Sequence, residues 1–376
     1  MKRWIPVSQP YLDNAEKLNV ADALNKGAIS GLFGEYIPRF EEEFAAYSDC
    51  KYGIATTSGT TALHLAMLAL SIGKDDEVLV STLTNMATFF AVIYQGARPI
   101  PIDIEEDTFN IDTTLLESKI SSRTKAILVV HLFGHPVDMD PIISLAEKYN
   151  LYVIEDCAQA HGATYKGKKV GSIGNIGCFS FYANKIITTG EGGMVTTNNA
   201  ELADRARSLK SLAFGDSNKF MHKDVGYNYR MTNVQAAIGC AQLGKIENII
   251  SSKRKIAAFY TDRLSSLDAL QLPLEKAYAR NVYWMYHINL LGPVATKREF
   301  IMEKLLEWGI ETREGFVPYN MQEIFINRGW VNLEDCPRAN RVALSSFYLP
   351  SGPLLAEEEL EYVVGKLKLV LNLTGT

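Results

Sequence analysis

Between residues 52 and 197 the chain alternates short apolar runs with helical or turn-like spans, and this alternation constrains the fold more than any other feature. "YGIATT", "EVLVS", "RPIPIDI", "KAILVVHLFG" and "LYVIED" each read as a buried strand. "TTALHLAMLAL" has helical spacing, with an N-terminus near Ser58-Gly59-Thr60. Strands separated by helices predict a mainly parallel sheet covered by helices, an α/β architecture. "CFSFYA" and "GGMVTT" add strands near residues 178 and 193, making seven. "PRFEEEFAAYS" predicts a helix with a solvated acidic face. The stretch from "TNVQAAIGCAQL" to "AAFYTDRL" predicts one long helix leading to a second region. There "MYHINLL", "FIMEKLLEWGIETR" and "EEELEYVVGKLKLVL" form an α+β pattern. The expected division is a large domain over 1–250 and a smaller one over 251–376.

Composition narrows the function classes. A formal charge of −5 without a basic run argues against nucleic acid as a partner. The five cysteines are odd in number and contain no C-x-x-C pair, which fits reduced thiols better than a disulfide framework or a zinc site. "MKRWIPVSQP" lacks the apolar core of a signal peptide, and no apolar stretch reaches membrane-spanning length. A cytoplasmic protein without membrane or metal is the expectation.

Three residue groups carry chemistry. Asp156 ends the apolar run "LYVIED", the edge at which parallel sheets gather ligands. Lys185 is a single cation between "FSFYA" and a glycine cluster. Ser58, Gly59 and Thr60 open a helix after a buried strand, so their N–H groups and hydroxyls suit an anion. Taken singly, each is as readily a cap, a turn or a surface charge. Together they offer an amine for an imine, a carboxylate for a pyridinium nitrogen and a helix end for a phosphate, which is the set pyridoxal phosphate needs.

The order and wording of "IPVSQP", "FEEEFAAY", "SGTTALHLA", "HLFGHPVDMD", "EDCAQAHGA", "NKIITTGEGGM", "GYNYRMTNVQAAIG", "GIETR" and "CPRANRVALSSFYLP" resemble the sugar aminotransferases of the DegT/DnrJ/EryC1/StrS family. The resemblance runs over nearly the whole chain. It implies the fold-type I aspartate aminotransferase scaffold and pyridoxal 5'-phosphate, cycling with its pyridoxamine form. The implied partners are L-glutamate as donor and a nucleotide-linked keto sugar as acceptor. Within the family the wording is most like enzymes that aminate a nucleotide-linked 4-keto-6-deoxyhexose, though 3-amination or a cyclitol acceptor stays open.

Transferred residue by residue, the resemblance makes Lys185 the imine-forming lysine and Asp156 the partner of the pyridine nitrogen. Gln159 would sit by the ring face, and Ser58, Gly59, Thr60 and Ser180 near the phosphate. Asn228, in "GYNYRM", would reach the phosphate of a neighbouring subunit's cofactor, making a homodimer with shared sites. Asn320 would lie toward the substrate; beside the resemblance, His161 could touch the site or equally make a structural hydrogen bond, and Arg313 could meet a diphosphate or the glutamate donor. Two positions depart from the family pattern. Asn85 in "TNMAT" stands where relatives carry an aromatic that stacks on the ring, so either its amide plane or Phe89 or Phe90 covers the cofactor. Asn320 in "PYN" stands where many relatives carry histidine.

His64 is expected to pack or cap, and "YWMYHINL" reads more as strand core than as a sugar pocket. A related sugar dehydratase would carry histidine in place of Lys185. A non-enzymatic regulator would need a DNA-binding module that is not evident in the chain.

Overall fold

The computed structural model describes residues 4–215, 218–222 and 224–374. Helices α1 (Asn14–Asn25) and α2 (Tyr36–Tyr47) precede the first strand. The large sheet starts with β1 (Tyr52–Thr56), β2 (Glu77–Ser81), β3 (Arg98–Ile102), β4 (Thr124–Val130) and β5 (Tyr152–Asp156). After a small ribbon, β6 (Thr164–Tyr165) and β7 (Lys168–Lys169), come β8 (Ile176–Ser180) and β9 (Gly193–Thr197). Helices α3 (Gly59–Ala69), α4 (Ala87–Tyr94), α5 (Met139–Tyr149) and α6 (Ala200–Lys210) connect or follow these strands. The order across the seven-stranded sheet is β1-β9-β8-β5-β4-β2-β3. β9 runs antiparallel to both its neighbours, and the pairings among β2, β3, β4, β5 and β8 are parallel. The expected sheet is the observed one.

Its strands are buried on both faces, which explains their unbroken apolar runs. Along β4, Ala126, Leu128 and Val130 face the core that holds α3, whereas Ile127 and Val129 face the one that holds Met139 and Ile142 of α5. Helix α3 begins where Ser58 and Thr61 form a reciprocal cap: the Ser58 side chain accepts from the Thr61 N–H, and Thr61 Oγ1 accepts from the Ser58 N–H at 3.0 Å.

The long helix expected from residue 232 is two helices, α7 (Asn233–Leu243) and α8 (Ile246–Leu264). Lys245 breaks the run with a non-helical ψ of 11° and carries its ammonium to Asp13 at 2.8 Å and Glu16 at 2.6 Å. The break thus fastens α1 to the body of the molecule.

A four-stranded sheet, β10 (Leu270–Gln271), β12 (Tyr286–Leu290), β13 (Arg313–Glu314) and β14 (Ser346–Leu349), lies in the C-terminal third, and β11 (Ala279–Arg280) pairs with the ribbon instead. The remaining helices are α9 (Arg298–Glu307), α10 (Glu323–Ile326), α11 (Pro337–Ser345) and α12 (Glu357–Leu373). One face of this sheet, with Tyr286, Ile288, Leu290, Phe347 and Leu349, packs in a second core with Tyr260 of α8 and Leu367 of α12. The other face carries His287 and Tyr348, a cross-strand pair, and His287 meets Phe133 of the large-sheet side at 4.1 Å between ring centroids. No helix among the described residues is long and apolar enough to cross a membrane.

Candidate active site

β5 ends at Asp156, β8 ends at Ser180, and β1 ends two residues before Ser58. Because β9 is antiparallel to β1 and β8, these three ends share one edge of the sheet. A cavity of about 440 Å³ opens there and brings together Ser58, Gly59, Thr60, Asn85, Asp156, Gln159, Ser180 and Lys185. Its other wall is aromatic and comes largely from the C-terminal third: Trp284, Phe316 and Tyr348, with Arg313 beside them.

At one end the first turn of α3 points into the cavity. The Ser58 hydroxyl is occupied by Thr61, so Gly59 and Thr60 supply the free N–H groups of the turn. A Cβ on Gly59 would stand 2.6 Å from the Ser180 Cβ, so only glycine lets the Ser180 side chain approach the helix end. This is a cradle for a small anion, with N–H donors, a hydroxyl and the positive end of a helix.

In the middle, the Asp156 carboxylate accepts from Thr88 Oγ1 at 2.9 Å and from the Ala158 N–H at 3.0 Å. Burial pushes its pKa up, against those two bonds and the charge of Lys185. Lys185 is half-buried, with its Nζ 4.1 Å from the Trp284 ring centroid. Burial lowers its pKa to about 8, with Asp156 acting in the opposite sense. An amine near 8 is partly neutral at physiological pH and can act as a nucleophile. Gln159 is buried; its Oε1 accepts from the Phe133 N–H at 2.8 Å, which leaves its NH₂ group for the cavity.

A phosphate cradle, a buried carboxylate and a lysine of lowered pKa fit pyridoxal phosphate. Gly59, Thr60 and Ser180 would hold its phosphate, Asp156 its ring nitrogen and Lys185 its aldehyde.

Three expected residues lie outside this cavity. His161 is fully buried among Phe44, Phe179 and Phe181, and burial lowers its pKa to about 3, against a hydrogen bond with the Ser180 backbone; its imidazole belongs to the core behind Ser180, not to the cavity wall. Asn320 is also buried. It accepts from Thr82 Oγ1 and donates to the Leu333 carbonyl and Asn340, so its amide ties chain segments together. Asn228 is exposed at the surface of the single chain.

Asn85 lines the cavity, and its Oδ1 accepts from the Ala87 N–H at 2.9 Å at the start of α4. Neither phenylalanine takes the missing aromatic's place. Phe89 stacks on Tyr319 at 4.2 Å, and Phe90 packs against Tyr94 and Phe325. On α4 it is Thr88 that faces Asp156, and the next residues turn away by about 100° each. His64 packs as expected, with Nδ1 2.9 Å from the Tyr229 hydroxyl.

"YWMYHINL" divides: Trp284 and Met285 line the cavity, and Tyr286 begins the buried strand β12. Thr88, Tyr182 and Trp284 were not among the expected site residues. "TNMAT" already held Thr88, but only the contact with Asp156 reveals its part. Glu155, next to Asp156 on the strand, faces the opposite way. It accepts from the N–H groups of Gly171, Ile173 and Gly174 and meets His131 Nε2 at 3.1 Å, which saturates the carboxylate within the fold.

The DegT/DnrJ/EryC1/StrS aminotransferase family model matches residues 10–368. The chain belongs to that family. It is similar to GDP-perosamine synthase of Escherichia coli, 42% identical over 96% of this chain and 97% of that one. It is also similar to GDP-perosamine synthase of Caulobacter vibrioides, 40% identical over 98% of each. A sugar aminotransferase of Streptococcus pneumoniae, solved in PLP and PMP forms, superposes with a TM-score of 0.93 at 26% identity over the full length of both chains. The family gives the cavity its chemistry: this is a sugar aminotransferase dependent on pyridoxal phosphate, alternating with pyridoxamine phosphate.

Proposed function

We propose that the enzyme transfers the amino group of L-glutamate to the keto carbon of a nucleotide-linked 4-keto-6-deoxyhexose, with a GDP-linked sugar as acceptor and a GDP-perosamine-type product for surface glycoconjugates. The observation that carries this reading is full-length identity of 42% and 40% with two GDP-perosamine synthases. The cavity is compatible with it. When bound, pyridoxal phosphate supplies an electron sink for the carbon attached to the transferred nitrogen. Asp156 keeps a proton on the ring nitrogen, Lys185 takes and returns the proton at the reacting carbon, and Arg313 offers a cation to a carboxylate or diphosphate.

The same reading includes a cytoplasmic homodimer in which Asn228 serves the partner's site. The exposure of Asn228 and of the apolar Phe33, Phe220, Met221 and Val225 supports a surface that another copy covers. The test is to convert the cofactor to its amino form with L-glutamate, then offer GDP-, dTDP- and UDP-linked 4-keto and 3-keto sugars. Return of the original cofactor absorbance fastest with the GDP-linked 4-keto-6-deoxyhexose is expected. Preference for a 3-keto sugar or another nucleotide would overturn the assignment.

A further inference from the structure

Phe133 has φ 54° and ψ 12°, in the left-handed region that bulky apolar residues avoid. It sits in the turn Leu132–Gly134, directly after β4 and on the cavity edge of the sheet. Residues held this way persist only where their surroundings over-determine them, and they gather at functional sites.

The surroundings here are specific. The Phe133 N–H donates to Gln159 Oε1 at 2.8 Å, and its carbonyl accepts from the Trp284 N–H at 2.9 Å. One residue on, the Gly134 carbonyl accepts from the Val282 N–H at 3.2 Å, and a Cβ on Gly134 would stand 2.9 Å from the Trp284 nitrogen. The Phe133 ring lies parallel to Phe316 at 5.9 Å, and Phe316 lies parallel to Trp284 at 6.5 Å. Trp284 in turn donates its indole N–H to the Asn184 carbonyl at 2.8 Å, next to Lys185, whose Nζ sits over the indole.

We propose that Phe133 is a positioning residue whose left-handed backbone sets Gln159 and Trp284 relative to one another, and through them Lys185. The inference rests on the reading of Gln159 as a group beside the cofactor ring. The backbone conformation, more than the phenyl ring, carries the effect, because the φ and ψ of this one residue aim its N–H and its carbonyl at a residue on each wall of the cavity.

Every substitution other than proline keeps the N–H and the carbonyl, so the test is conformational. Glycine adopts this region freely, alanine less so, and β-branched valine least. A residue that merely fills space gives the reverse order, since valine retains more apolar bulk than glycine. With L-glutamate as substrate, Phe133→Gly is expected to exceed Phe133→Val in kcat by at least about 10-fold, with Phe133→Ala between them. In cofactor-free protein, Trp284 emission, isolated by subtracting Trp284→Phe counterparts, should stay near wild type in the glycine variant and shift in the valine variant.

A valine variant equal to or better than glycine in kcat overturns the proposal, as does a Trp284 emission shift in glycine alone. Should the valine variant not fold by circular dichroism, the glycine and alanine pair decides by the same order. Phe133→Asn replaces glycine if that variant fails to fold, because asparagine also tolerates this region. Wild-type protein that binds pyridoxal phosphate but is inert to L-glutamate would count against the assigned chemistry. The emission order, read without cofactor, would still judge Phe133.

Discussion

Thr88 reaches from the first turn of α4 to the end of β5 and donates its hydroxyl to Asp156 at 2.9 Å. The carboxylate must be charged to keep a proton on a ring nitrogen, yet burial favours its neutral form. The bonds from Thr88 and the Ala158 N–H oppose that shift and favour the charged form.

Removing the Thr88 donor should therefore move the acid limb of activity. The hydrogen bond lowers the Asp156 pKa, so its loss raises that pKa, and activity that needs the carboxylate is lost at a higher pH. Thr88→Val is expected to lower kcat/KM for L-glutamate at pH 6 by about 10-fold, the scale of a hydrogen bond to a charged group. Thr88→Ser should restore the wild-type profile. An acid limb that stays in place in Thr88→Val would remove Thr88 from the site.

Lys185 gives a second pH dependence. With its pKa near 8, the neutral amine is about a tenth of the population at pH 7. Uptake of pyridoxal phosphate by cofactor-free protein, followed by absorbance, should accelerate as pH rises through about 8 and level off above it. A midpoint at the ordinary lysine value of 10.5 would show that burial does not tune this amine. Borohydride followed by peptide mapping should place the cofactor on Lys185, and a label on any other lysine would refute its role.

The proposed shared site can be tested by mixing two inactive chains. Lys185→Ala and Asn228→Asp (the added carboxylate repels a phosphate) should each give inactive homodimers. Refolded together, about half the dimers are mixed, and each mixed dimer then has one undamaged site if Asn228 acts across the interface. Total activity should return to about a quarter of wild type by that statistic. If Asn228 acts within its own chain, mixed dimers stay inactive, and that result ends the shared-site reading.

The large sheet was legible because its strands are buried on both faces and therefore announce themselves as apolar runs. Asp156, Lys185 and the Ser58–Thr60 turn were legible because strand ends and a helix start are local patterns. The aromatic wall was not. Trp284 lies in a segment that reads as strand core and Tyr348 in one read only for its family wording, and only the packing of two sheets brings both to the cavity. His161 sits in a family-like motif and Asn320 at a position where relatives carry histidine, but each spends its side chain inside the fold. The break at Lys245 was hidden because helical spacing continues across it, while its cause lies in Asp13 and Glu16, more than 200 residues earlier.

The two faces of the small sheet have a consequence for how this enzyme can change over generations. In β14, Phe347 and Leu349 answer to the second core, while Tyr348 between them answers to the cavity. Neighbouring codons thus answer to different demands, the flanking pair to the second core and Tyr348 to the cavity wall and the core behind it. Tyr348 borders the cavity and is itself buried against Trp284, His287 and Phe316, so exchanging it changes the cavity wall and the packing behind it together. A new cavity wall at this position therefore calls for a compensating change among its aromatic neighbours, while Phe347 and Leu349 can stay as they are.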